Sequence, residues 1–149
     1  MTIRTPSNSE FGAMTDVWEA SVRATHHFLT DADIDELRPL VLNEYLALVD
    51  SRVCSGDNGE IQGFVGVTHG KIEMLFVAPQ WQGHGIGKAL LQYAVTRMGA
   101  TLVDVNEQNP AATGFYRRMG FSVFDRSPLD GQGRPFPLLH MRLATPAQR

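Results

Sequence analysis

The stretch from Met74 to Leu91 constrains the chain more than any other. Its first part, Met74-Leu75-Phe76-Val77, has the β-branched and aromatic text of a strand; its last part opens a stripe of Ile86, Leu90, Ala94 and Met98, four residues apart, that marks a helix. Between them lies Gln82-Gly83-His84-Gly85-Ile86-Gly87-Lys88. Glycine allows positive φ and lets a ligand approach the backbone without a Cβ in the way, while the helix behind it offers unpaired N–H groups and the positive end of its dipole. Such a turn suits a phosphate. A plain strand-to-helix connection does not need three glycines at alternate positions. The ATP-binding pattern GxxxxGK[ST] fails, because Gln82 stands where its first glycine belongs and Ala89 where its hydroxyl belongs. The dinucleotide pattern GxGxxG fails as well, since Lys88 occupies the place of the third glycine after Gly83 and Gly85. A QxxGxG form remains, with Gln82, Gly85 and Gly87 as its fixed members.

Around that segment the text predicts an α+β domain. Phe11, Met14, Val17, Trp18 and Val22 predict an amphipathic helix over 10–24 with Ser9 as N-cap, and Ile34, Leu37, Val41 and Tyr45 a second over 33–46, with a kink or boundary at Pro39. Residues 46–76 read as three antiparallel strands, broken by Gly56-Asp57-Asn58-Gly59 and His69-Gly70. A strand over 101–105, a helix over 110–119 opened by Pro110, and strands over 121–126 and 138–143 complete the pattern, with a short first strand at Ile3-Arg4-Thr5. A length of 149 residues and 43% hydrophobic content fit one domain, 1–149. The net charge of −3 speaks against a nucleic-acid binder. No apolar run reaches the roughly 18 residues of a spanning helix, and the N-terminus does not read as a signal peptide, so a soluble, cytoplasmic protein without membrane contact is expected. Cys54 is the single cysteine and reads as a buried structural thiol.

The glycine segment is followed by Asn109-Pro110-Ala111-Ala112-Thr113-Gly114-Phe115-Tyr116-Arg117-Arg118-Met119-Gly120-Phe121. With Gln82, Gly85 and Gly87 upstream, this block strongly resembles the GNAT superfamily of N-acetyltransferases, which pairs QxxGxG with NxxAxxFYxxxGF in this order. The order of elements is also similar. The resemblance implies a mixed, mainly antiparallel sheet of six to seven strands flanked by about four helices in three α/β/α layers. It also implies acetyl-CoA as cosubstrate, no metal, and transfer of the acetyl group to an amine.

The same resemblance assigns roles. Amides and side chains of Gln82, Gly83, His84, Gly85, Ile86, Gly87 and Lys88 are expected to hold the coenzyme A pyrophosphate. The backbones of Leu75, Phe76 and Val77 are expected to hold pantetheine and polarise the thioester carbonyl. Tyr116 matches the tyrosine that serves as general acid toward the departing thiolate, and core packing is its other reading. Asn109 either caps the helix that starts at Pro110 or reaches the cofactor. Glu73, on the strand before the turn, resembles the catalytic glutamate of some lysine-acetylating members. His26 is a second candidate base, because it lies with His27 between the first two helices and imidazole titrates near neutrality. Trp18, Phe136 and Pro137 are candidates for the acceptor wall, with core packing as their other reading. Direct attack in a ternary complex needs no enzyme nucleophile, and no Cys/His or Ser/His/Asp arrangement stands out in the text. A non-catalytic acyl-CoA-binding module is the alternative. The acceptor is open between a small molecule and a protein amine, and the assembly between monomer and homodimer.

Overall fold

The computed structural model describes residues 1–144. By contact density the chain divides into two compact units, Met1–Ala100 and a second from Thr101 onward. The expected fold is found. Among the described residues seven strands and four helices follow the anticipated order, and the strand pairings within either unit are antiparallel.

In the first unit, β1 (Thr2–Arg4), β2 (Asp50–Ser55), β3 (Ile61–Thr68) and β4 (Lys71–Val77) lie in sequence order. The β3–β4 hairpin turns on His69 and Gly70, both with positive φ (50° and 77°), as a tight two-residue turn demands. α1 (Phe11–Thr25) and α2 (Asp31–Leu40) cover one face. Their apolar stripes, Met14, Val17, Trp18 and Val22 on α1 and Ile34 on α2, share a core with Val53 of β2, Phe64 of β3 and Met74 of β4. Each fully buried side chain of this size contributes about 1.5–3 kcal/mol. Trp18 therefore belongs to the core. α3 (Ile86–Met98) packs on the opposite face. A Cβ added at Gly63, the neighbour of Phe64 on β3, would stand 3.1 Å from Ile86 Cγ2 and 3.2 Å from Leu90 Cδ1.

Three local features differ from expectation. A 3₁₀ turn, Asn8–Glu10, precedes α1, and its N-cap is Ser7 rather than Ser9. Glu10 is committed there: its carboxylate accepts from the Ser7 N–H at 3.0 Å and from both Arg4 nitrogens at 2.9 and 2.8 Å. In α2 the helix runs through Pro39, and the break comes just after it as a π-turn, Val41–Tyr45, followed by a last α-turn, Leu46–Leu48. Proline has no N–H to donate, and a wider turn takes up the disturbed ladder. The β3–β4 register passes from Gly66↔Met74 to Val67↔Ile72, so Glu73 is the extra residue of a β-bulge.

In the second unit, β7 (Leu138–Leu143) lies between β5 (Leu102–Asn106) and β6 (Phe121–Ser127), and α4 (Pro110–Arg118) packs on this sheet. Val103, Val105, Tyr116, Phe121 and Met141 are its buried apolar residues among those described.

Candidate active site

The glycine turn is built as its sequence requires. Gly83 and Gly85 both have φ of +80°, and Gly85 is the N-cap of α3. A Cβ at either would meet no protein atom within 4 Å, so the backbone is open on that side. The first α3 hydrogen bond runs from Ala89 N to Gly85 O, which leaves the Ile86, Gly87 and Lys88 amides without intrahelical partners. No side chain caps this end. Gln82, His84 and Lys88 are exposed, and the His84 ring stands edge-on to Trp81 at 5.5 Å. A run of free amides at a positive helix end, with two glycines in the left-handed region and no competing cap, fits a pyrophosphate.

The stem before the turn is fixed by close packing. Ala78 N donates to Gln62 O at 2.9 Å, and the missing side chain of Gly63 lets the Phe76 carbonyl pass within 2.9 Å of where a Cβ would stand. Leu75, Phe76 and Val77 are half-buried. On the same strand Glu73 is exposed, its Oε1 3.8 Å from Lys71 Nζ.

His26 is brought to this strand from the α1–α2 turn. Two devices hold that turn: Arg23 of α1 pairs with Asp31 of α2 at 2.7 Å, and Thr30 caps α2 by accepting from Asp33 N at 3.1 Å. The His26 ring lies 5.3 Å from Phe28 and 6.4 Å from Phe76 of β4. Its Nδ1 stands 2.8 Å from Thr25 Oγ1. Burial pulls the imidazole down to about 4, with the neighbouring His27 adding to the effect. The ring is neutral at physiological pH. His27 is exposed.

In the second unit Tyr116 is buried, edge-on to Phe115 at 5.2 Å and to Phe121 at 5.7 Å. Burial pushes its phenol up, so the hydroxyl keeps its proton across the working range. Asn109 caps α4, its Oδ1 accepting from Ala112 N at 3.2 Å. Phe136 and Pro137 are half-buried in the segment leading into β7. Cys54 is fully buried, and burial raises its thiol. Among the described residues no group of His, Cys, Asp and Glu is arranged to hold a metal.

One arrangement escaped the sequence. Ser127 Oγ lies 2.6 Å from His140 Nε2, and His140 Nδ1 lies 2.6 Å from Asp104 Oδ1, in the atom order of a nucleophilic triad. A Ser/His/Asp arrangement is therefore present, contrary to the reading of the text. The three residues stand on β6, β7 and β5, and only the register Asp104↔His140 and Ser127↔Leu138 assembles them. The residue after Ser127 is Pro128, which has no N–H to offer an oxyanion. The chain of bonds ties three strands together.

The pattern described as an acetyltransferase (GNAT) domain matches residues 45–123, more than half of the 149. The chain is 40% identical over 139 residues to the peptidyl-lysine N-acetyltransferase YjaB of Salmonella typhimurium, covering 93% of this chain and 95% of that protein. The solution structure of apo YjaB from Escherichia coli superposes with a TM-score of 0.87 at 33% identity, over 96% of this chain and 97% of that one. YncA of Salmonella typhimurium, solved with its cofactor acetyl-CoA, superposes with a TM-score of 0.66 at 25% identity, over 100% of this chain and 97% of its own. The chain thus belongs to the GNAT family of N-acetyltransferases, enzymes that use acetyl-CoA as acetyl donor.

Proposed function

We propose that the enzyme moves the acetyl group of acetyl-CoA to a primary amine by direct attack in a ternary complex, with a protein lysine as the acceptor class. The observation that carries the first half is the turn after β4, where Gly83 and Gly85 hold positive φ and the Ile86, Gly87 and Lys88 amides stand free. These groups bind the pyrophosphate, with Gln82 and His84 beside them, and the Leu75, Phe76 and Val77 backbones hold pantetheine and polarise the thioester carbonyl. The lysine acceptor is supported by the name of the 40% identical relative.

The remaining roles follow from proton accounting. A neutral amine attacks the carbonyl, its nitrogen gives up one proton, and the departing thiolate takes one. Glu73, exposed on its bulge, receives the amine proton directly or through water. The Tyr116 hydroxyl, protonated throughout, is assigned the role of general acid toward the thiolate. Asn109, whose Oδ1 is occupied in capping α4, acts on the cofactor only through its amide nitrogen. His26 has a proton affinity too low to store the proton, which suits it to hydrogen bonding rather than to the general-base role.

The test is release of coenzyme A thiol from acetyl-CoA in the presence of a blocked peptide with one lysine. Acetyl-CoA at about 100 times its dissociation constant should also add roughly 2.7 kcal/mol of stability. Stabilisation without thiol release from any amine would make the protein an acyl-CoA-binding module, and absence of stabilisation would remove the cofactor reading.

A further inference from the structure

Thr25, the last residue of α1, decides which nitrogen of His26 is free. Its hydroxyl has a single proton. Thr25 Oγ1 lies 2.8 Å from the Ser21 carbonyl oxygen, an atom that only accepts, so the proton is spent there. The second contact of the same hydroxyl, 2.8 Å to His26 Nδ1, must then run the other way, with Nδ1–H as donor and Oγ1 as acceptor. A neutral imidazole protonated at Nδ1 carries its lone pair on Nε2. Among the described residues no hydrogen bond engages Nε2, although the ring is packed against Phe28 and lies 6.4 Å from the Phe76 ring on the strand assigned to the thioester. A directed lone pair beside that strand is what an incoming amine needs. By accepting an N–H it turns the nitrogen's own lone pair toward the carbonyl, and it places no positive charge next to a basic substrate.

We propose that Thr25 is a positioning residue: through the chain Ser21 carbonyl, Thr25 hydroxyl and His26 Nδ1–H it fixes the tautomer that presents His26 Nε2 to the acceptor amine as a hydrogen-bond acceptor. The inference rests on the amine-acetylating reading and adds to it the group that orients the amine. Nothing is transferred in this step, and the proton of the reaction leaves by another route.

The experiment has two arms. Nitrogen-edited NMR of the imidazole in the full-length protein at neutral pH should show His26 protonated at Nδ1 in the wild type. In Thr25→Val the ring should move toward the Nε2–H form, and in Thr25→Ser, which keeps the hydroxyl, the wild-type tautomer should return. In kinetics with the lysine peptide, Thr25→Val should raise KM for the peptide by about three- to tenfold, the worth of one ordinary hydrogen bond. Acetyl-CoA affinity should be unchanged and Thr25→Ser should restore the peptide KM. A wild-type ring protonated at Nε2 overturns the proposal, as does a Thr25→Val enzyme with unchanged tautomer and unchanged peptide KM. Absence of thiol release with wild-type enzyme overturns the reaction reading and the role of Nε2 with it, while the tautomer still decides whether Thr25 orients the ring.

Discussion

His26 and His140 sit in hydrogen-bond chains that differ in one respect. At His26 the chain runs to a backbone carbonyl and stops at Nδ1, leaving Nε2 open. At His140 both nitrogens are taken, Nδ1 by Asp104 and Nε2 by Ser127. The first arrangement leaves an acceptor for something outside the protein, whereas the second is satisfied internally and joins β5, β7 and β6. The same contrast runs through the candidate residues. In the first unit the glycine turn, Glu73 and His26 leave polar atoms available, while in the second His140 spends both ring nitrogens, and Asn109 its Oδ1, on the fold.

Tyr116 is the sharpest way to break that division, because it is buried in the second unit and yet assigned to chemistry. Tyr116→Phe keeps the ring and its contacts with Phe115 and Phe121, so the hydroxyl alone is tested. General acid catalysis contributes about 10²–10⁴-fold, roughly 3–5.5 kcal/mol of barrier. Single-turnover acetyl transfer should fall on that scale with fold and acetyl-CoA binding retained. Wild-type single-turnover rates in the Phe variant would leave Tyr116 to the core and make the second unit wholly structural.

Gly85→Val comes next and tests the open side. The added Cβ itself meets no atom of another residue within 4 Å, but at a φ of +80° a β-branched residue resists the backbone conformation that the turn requires. Coenzyme A affinity should drop at least tenfold in a folded protein. Calorimetric titration showing equal affinity would move the pyrophosphate elsewhere.

Contiguous patterns are legible in the sequence, and arrangements that depend on strand register are not. The turn was legible because Gln82, Gly85, Gly87 and the four-residue stripe after them are contiguous, and the helix Ile86–Met98 and the strand Leu138–Leu143 fall where periodicity puts them. The Asp104–His140–Ser127 chain was not. Its members are 36 and 13 positions apart, and one residue of slip in either pairing would send the side chains to opposite faces. The bulge at Glu73 and the π-turn after Pro39 depend in the same way on partners that a local pattern does not contain. Ser9 stands nearer the apolar stripe, but it is Glu10, three residues after Ser7, that marks the start by accepting from the Ser7 N–H.

His26 should also show in the pH dependence of stability. His26 has a folded value of about 4 against an ordinary 6.5, so between these values the unfolded chain takes up a proton that the folded chain refuses. Stability is therefore full above about 6.5 and declines as the pH is lowered toward about 4. Denaturant unfolding of wild type and His26→Phe across this window should show the decline in the former and a flatter profile in the latter. Equal slopes would mean that the ring is solvated. For the satisfied chain, His140→Asn should lower stability by about 1 kcal/mol for each hydrogen bond lost, with turnover per folded molecule unchanged. A fluorophosphonate reagent should leave Ser127 unlabelled; labelling would give that chain a chemistry of its own.

The smallest expected effect at neutral pH belongs to Glu73, and its size comes from where the bulge puts it. A residue inside the regular ladder would have its face fixed by Met74 and Ile72, both buried. As the extra residue between them, Glu73 escapes the alternation and stays exposed, with Lys71 Nζ 3.8 Å from its Oε1. A carboxylate so placed is easily replaced by water, so Glu73→Gln should lower turnover only severalfold near neutrality. The loss should deepen as the pH falls, because fewer acceptor amines are then neutral and the proton must be taken by the enzyme or by solvent. Acetyl-CoA affinity should not move. A pH–rate profile for Glu73→Gln that parallels the wild type at every pH would assign the proton to water and leave the bulge a purely structural feature of β4.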